Sequence, residues 1–270
     1  MAEYLLSAKE TIALLRERLG EIADVNAALA LLQWDQETYM PPKGALARAF
    51  QEATLSALSH RLFTSPEMER LLQTRRDAAD RLSPDEAKLV SETWYDYQRA
   101  TRLPEAFVRE FAQARSQGFE AWVNARERSD FTFFQSHLEK IVDLLRRKAD
   151  YLGYIGSPYN ALLEEYERGL TVESIQPIFY ALAERQSRLI ARIMESSRPP
   201  DTRWLEQDWD EAAQWDLSLE VIRRLGFDLE AGRQDRSVHP FTTNFDLCDV
   251  RITTRISRRD LFAGLMASIH

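Results

Sequence analysis

Phe241-Thr242-Thr243-Asn244-Phe245 and Val250-Arg251-Ile252-Thr253-Thr254-Arg255-Ile256, separated by Asp246-Leu247-Cys248-Asp249, alternate in character and are rich in β-branched residues. Such a pair predicts a small antiparallel hairpin. It is the one convincing strand signal in the chain, and the sequence around it carries helical spacing. The expected fold class is therefore all-α, mainly helical, with one small antiparallel β-hairpin or sheet near residues 238–256, on a single helical domain over residues 1–270.

Upstream, Leu5, Ile12, Leu15, Leu19 and Ile22 recur at intervals that place them on one helix face, and the pattern runs through Leu31 and Trp34 until Pro41-Pro42 stops it. A second helix is expected from about Ala45 to Leu62, and Ser65-Pro66-Glu67 starts a third. Ser83-Pro84-Asp85-Glu86 is a strong start signal: Ser as N-cap, Pro at the first helical position, Glu placed for a capping box. Leu103-Pro104 opens a helix through Phe107, Phe111 and Trp122, and Asp130 caps the run Phe134, Leu138, Ile141, Leu145. Thr171 begins a long helix in which Ile175, Phe179, Leu182, Leu189 and Ile193 predict a buried stripe. After Pro199-Pro200, Trp209 to Leu225 reads as helix and Gly226 ends it. Ser257 is placed to cap a last helix, Arg258 to His270.

Composition agrees with this reading. The chain has 270 residues, 44% hydrophobic and 29% charged, with only 9 glycines and 10 prolines, well below the usual ~12% combined. That balance excludes a disordered or fibrous chain. A net charge of −8 without a lysine-rich run argues against nucleic acid or an anionic membrane as partner. Apolar runs are short, Ala27 to Leu32 among the longest, far from the ~18 residues of a membrane span. The lone Cys248 permits no internal disulfide, which fits a reducing compartment. A cytoplasmic location is the expectation.

The residues by themselves show no Gly-rich phosphate loop, Cys-x-x-Cys pair or nucleophile elbow. His60 and His137 sit amid polar helical faces and read as solvated. The hairpin is more informative. At period two, Asp249, Arg251, Thr253 and Arg255 share a face opposite Val250, Ile252 and Ile256. Two readings stay open. One is an ordinary strand with a solvent-exposed polar face. The other is a cleft wall, on which Arg251 binds a carboxylate through two parallel hydrogen bonds while Asp249 holds the guanidinium.

Four ordered segments carry a resemblance that spans essentially the whole chain. They are Gln33-Trp34-Asp35-Gln36-Glu37-Thr38-Tyr39-Met40-Pro41-Pro42-Lys43-Gly44; Tyr159 to Thr171, with Arg168 where relatives usually have Pro; His239-Pro240-Phe241; and Asp249-Val250-Arg251-Ile252-Thr253. The chain resembles the carboxypeptidase Taq family of metallocarboxypeptidases, whose HPF and DxRxT motifs the last two segments match. In that family an HExxH motif follows on the next helix, and Ser268-Ile269-His270 resembles the residues leading into it.

The resemblance implies a metal-dependent carboxypeptidase that hydrolyses C-terminal residues from peptides, with Zn²⁺ or Co²⁺ in the full-length family, and usually a homodimer. His239, Pro240, Phe241, Asp249, Arg251 and Thr253 would line the substrate cleft, and His270 would be the first metal ligand of an incomplete site. HExxH chemistry needs two imidazoles one helical turn apart, a third ligand, and a Glu that takes a proton from the metal-bound water. The Glu, the second His and the third ligand have no counterpart here, so no catalytic set is complete. The expectation is an N-terminal portion of a longer enzyme, inactive by itself and binding no metal tightly. Peptides are the expected substrates of the full-length enzyme, with no nucleic-acid or membrane partner. Trp34, Asp35 and Tyr39 read as helix-end packing. The alternative is a non-catalytic helical module for interaction or dimerisation.

Overall fold

The computed structural model describes residues 8–76, 82–197, 200–205 and 207–270. Leu5 and Pro199 lie outside the described residues. The described chain is predominantly helical, as the helical spacing predicts, with one small three-stranded sheet that contains the expected hairpin. It divides into two compact units, Met1–Leu144 and Leu145–His270, with the boundary inside one helix.

The first unit contains α1 (Ala8–Thr38), α2 (Ala45–Phe63), α3 (Pro66–Arg76), α4 (Pro84–Ala100), α5 (Glu105–Arg128) and the start of α6 (Phe131–Leu152). α1 ends before Pro41-Pro42, which cannot continue a helical hydrogen-bond ladder. The capping box at α4 forms: the Glu86 N–H donates to the Ser83 hydroxyl at 3.4 Å and the Ser83 N–H to Glu86 Oε2 at 3.0 Å. Asp130 accepts from the Thr132 N–H at 3.0 Å at the entry to α6. The core gathers Ile12, Leu15 and Ile22 of α1 with Met68, Leu72, Val90 and Tyr97, so the α1 stripe is buried where its spacing placed it. α2 packs against α5, and each helix buries small residues, Ala49, Ala53 and Ala57 on α2 and Ala121 and Ala125 on α5. Small side chains let helix axes approach closely. His60, read as solvated, is half-buried, and that burial pushes its pKa below the ordinary value.

The second unit holds the rest of α6, α7 (Tyr159–Leu163), α8 (Val172–Met194), α9 (Glu211–Arg224), β1 (Gly232–Arg236), β2 (Thr242–Asp246), β3 (Asp249–Thr254) and α10 (Leu261–Ile269). Thr171 caps α8 through a reciprocal box with Ser174. Gly226 ends α9 with φ +94°, a left-handed conformation that favours glycine.

Three expectations are corrected. The hairpin is real, β2 running antiparallel to β3, but a third strand, β1, pairs parallel to β3, giving the order β1-β3-β2. The cap of the last helix is Asp260, whose carboxylate accepts from the Ala263 N–H at 3.0 Å; Ser257 instead closes a turn onto Asp260. The α8 stripe is not buried: Phe179, Leu182, Leu189 and Ile193 are 45–60% exposed, and no residue of α8 is buried. The helical period is present, but no described element covers that face.

Candidate functional site

The DxRxT and HPF stretches lie on β3 and on the loop that leads into β2. Thr253 joins them. It is 1% exposed, and its Oγ1 accepts from the Phe241 N–H at 2.8 Å, while the Thr253 N–H donates to the Phe241 carbonyl at 2.8 Å. The Ser237 hydroxyl donates to the His239 carbonyl and meets Thr253 Oγ1, both at 2.8 Å. A buried hydroxyl must find partners, and here those partners are the backbone of the HPF loop. The loop therefore has its course set by Thr253 and Ser237, with Pro240 limiting its freedom further. His239 is exposed, and Pro240 and Phe241 are partly buried.

Arg251 and Asp249 lie two residues apart on one face of β3, as the alternation predicts. Arg251 Nε and Nη2 donate to the two Asp249 oxygens at 2.8 and 3.1 Å. The guanidinium also sits 5.1 Å from the centre of the Phe245 ring on β2, a cation–π contact. The Arg251 side chain is mostly covered and that of Asp249 more open. The hydrogen bonds from Arg251 hold the Asp249 carboxyl below its ordinary range, with the charges of Arg251 and Arg233 adding to this. Asp249 thus takes two of the donors that the sequence reading reserved for a carboxylate ligand; a guanidinium has five. Arg233 on β1 repeats the device, bonding Asp235 at 2.7 and 2.6 Å.

The burial of β3 does not alternate as expected. Ile252, Thr253 and Thr254 are all buried, because β3 is the central strand and α10 packs on it. Arg255 falls outside the strand. Sequence reasoning missed Ser237 and Thr254, whose roles depend on burial rather than on any local pattern. It also missed Gln234, which donates to the Ser218 hydroxyl of α9 at 2.8 Å, and Gln214, which donates to the Ser257 carbonyl at 2.9 Å.

His270 follows the last turn of α10, its N–H donating to the Met266 carbonyl at 2.9 Å, and its side chain is exposed. Among the described residues no group of three or more His, Cys, Asp or Glu is arranged to hold a metal ion. A catalytic zinc usually takes three protein ligands, and one imidazole does not match that donor set. The described residues therefore do not themselves fit a catalytic metal. No described helix is long and apolar enough to cross a membrane.

Comparison with known proteins gives this geometry its context. The family model for carboxypeptidase Taq (M32) metallopeptidases matches residues 14–270. Carboxypeptidase 1 of Bacillus subtilis is 33% identical over 252 residues, 93% of this chain and 50% of that protein. Thermostable carboxypeptidase 1 of Pyrococcus furiosus is 34% identical over 97% of this chain and 52% of its own. Among solved structures, the BsuCP crystal structure superposes with a TM-score of 0.94 at 32% identity, covering 96% of this chain and 52% of that one. The M32 carboxypeptidase from Deinococcus radiodurans R1 gives 0.81 at 35% identity, again over 96% and 52%. The chain spans about half the length of the relatives it matches.

Proposed function

The chain belongs to the carboxypeptidase Taq (M32) family of metallopeptidases, and from that membership we propose that it supplies the N-terminal portion of a metal-dependent enzyme hydrolysing C-terminal residues from peptides. Residues 1–270 would act as one structural portion of that enzyme, in the cytoplasm, as a homodimer.

The observation that carries this reading is the bonding of Thr253 to the HPF loop. It holds His239, Pro240 and Phe241 in a defined relation to Asp249 and Arg251. These six residues line the substrate side of the cleft. Asp249 fixes the Arg251 guanidinium, whose planar fork suits a carboxylate of the substrate. His270 is the first metal ligand, and Zn²⁺ or Co²⁺ is the ion, which when bound would supply an activated water. The residues that complete the site have no counterpart among these 270, so the chain by itself is inactive and holds no metal tightly. No catalytic step is assigned to residues 1–270.

Two proteins test this: the 270-residue chain, and a longer one in which Glu follows His270, His comes three residues after that Glu, and the third metal ligand is also present. Each is incubated with a short peptide and Zn²⁺ or Co²⁺. Release of free C-terminal amino acid is expected only from the longer protein, and a chelator abolishes it. Chelator-sensitive release by the 270-residue chain overturns its inactivity; no release by the longer protein overturns the carboxypeptidase reading.

A second reading is a non-catalytic helical module that binds other helices or itself. The exposed apolar face of α8 favours it.

A further inference from the structure

β2 is an edge strand. The sheet order β1-β3-β2 puts β3 on one side of it, and no described strand pairs with the other side. The direction of its main-chain groups follows from the register. The Thr253 N–H donates to the Phe241 carbonyl at 2.8 Å, which makes those two a hydrogen-bonded pair, and Thr243 with Arg251, two residues on, is the next. Thr242 with Ile252 and Asn244 with Val250 fall between and beyond them. Thr242 and Asn244 therefore turn their N–H and C=O groups away from β3. Both residues are exposed, whereas Gln234 and Asp235 on β1, the opposite edge, are buried.

A row of outward main-chain donors and acceptors is a template for another extended chain, and strands that must avoid one commonly carry lysine or proline. β2 reads Thr242-Thr243-Asn244-Phe245-Asp246 and has neither. We propose that the outer edge of β2 binds the peptide substrate by strand addition, Thr242 and Asn244 each exchanging main-chain hydrogen bonds with alternate residues of the peptide. This deepens the carboxypeptidase reading and rests on it.

Three features match that occupant. The strand leaves the HPF loop, whose course Thr253 and Ser237 fix, so the edge is held beside the residues assigned to the cleft. Main-chain pairing is indifferent to side-chain identity, which suits an enzyme that meets a new C-terminal residue after each cleavage. The two ends of the edge also differ in charge. Exposed Arg255 follows the end of β3 that pairs with the start of β2, and exposed Asp246 closes β2. A short peptide laid antiparallel to β2 turns its carboxylate toward Arg255 and its ammonium toward Asp246. The irregularity between Asn244 and Asp246 ends the ladder there, so the edge is short and the peptide it holds need not be long.

Amide NMR of the isotope-labelled 270-residue chain, titrated with tetra-alanine to millimolar concentration, reads the edge directly. The Thr242 and Asn244 amides should shift, while that of Thr243, turned toward β3, should move much less. Two further peptides, each N-methylated at one of two adjacent amides, test the period of two. One should bind like tetra-alanine and the other roughly tenfold more weakly, the effect of a lost main-chain hydrogen bond. In the protein, Asn244→Pro removes an outward N–H and spares the ladder to β3, so it should weaken binding likewise, whereas Asn244→Ala should not. No shift on β2, or equal binding of the two methylated peptides, overturns strand addition. So does a dimer that Asn244→Pro splits and tetra-alanine leaves intact, because the edge then serves a second copy. Amino-acid release by the longer protein is a separate readout. Release without shifts on β2 overturns strand addition and leaves the enzyme standing; shifts without release support strand addition and overturn the enzyme.

Discussion

Thr254 Oγ1 donates a 2.7 Å hydrogen bond to the carbonyl of Gly264, so the last residue of β3 is tied to the middle of α10. Thr254 is fully buried, and the same carbonyl also accepts from the Ser268 hydroxyl at 3.1 Å. Replacing Thr254 by Val keeps the shape and removes the donor. The expected loss is about 1–2 kcal/mol, because a buried hydrogen bond is lost but the Ser268 bond still serves the carbonyl. Thr254→Ser should recover most of it. Urea denaturation of the three proteins, followed by tryptophan fluorescence, checks the order; equal stability of the Val and Thr proteins would refute the role.

Gly264 itself sits close to the backbone that follows β3. A Cβ there would lie 3.3 Å from the Arg255 carbonyl oxygen, a backbone atom that cannot swing away. Gly264→Ala therefore sets two effects against each other. Alanine favours helix by roughly 0.5–1 kcal/mol, while overpacking against backbone costs about 1–3 kcal/mol. The second effect should win, lowering the melting temperature in calorimetry. A raised melting temperature would mean that Arg255 and Ile256 yield freely.

Asp249 gives an acid-side prediction. Arg251 holds its carboxyl below the ordinary value of 3.8, so the folded chain releases that proton more readily than the unfolded one. The resulting stability is present above about pH 4 and is lost as pH falls through the lowered pKa. Asp249→Asn should flatten that acid limb. Because the carboxylate is open to solvent, the effect should stay under about 1 kcal/mol and shrink in high salt. Denaturation midpoints measured down to about pH 3, at low and high salt, decide it. A variant with the parent's full acid limb would show that the ion pair contributes nothing to folding.

What the sequence made legible was local. Ser83 and Thr171 announce helix starts because capping boxes are written within four residues, and Pro41-Pro42 announces a stop because proline has no N–H to donate. The β2–β3 hairpin follows from alternation. By contrast, β1 reads Gly232-Arg233-Gln234-Asp235-Arg236, with no apolar residue, and is held by β3 and by the Gln234–Ser218 bond, which no local pattern reveals. Ser257 and Asp260 are both able to cap a helix, and packing of the turn chose between them. In the candidate site, the motif residues were named from resemblance, whereas Ser237 and Thr254 act through burial.

The exposed face of α8 leads to the last prediction. Phe179, Leu189 and Ile193 recur on one side of the helix together with Ile178, Leu182 and Ile190, all open to water. Contiguous apolar surface on this scale favours association, and the net charge of −8 gives only modest repulsion to oppose it. The purified chain should therefore bind an apolar dye and self-associate as its concentration rises. Replacing Phe179 and Ile190 by Lys places two charges on that face while leaving the buried core untouched. Sedimentation velocity should then show the variant shifted toward monomer, with dye fluorescence reduced and helical circular dichroism retained. A parent chain that stays monomeric and binds no dye at high concentration would show that this face does not drive association, and would remove the support it gives to the interaction-module reading.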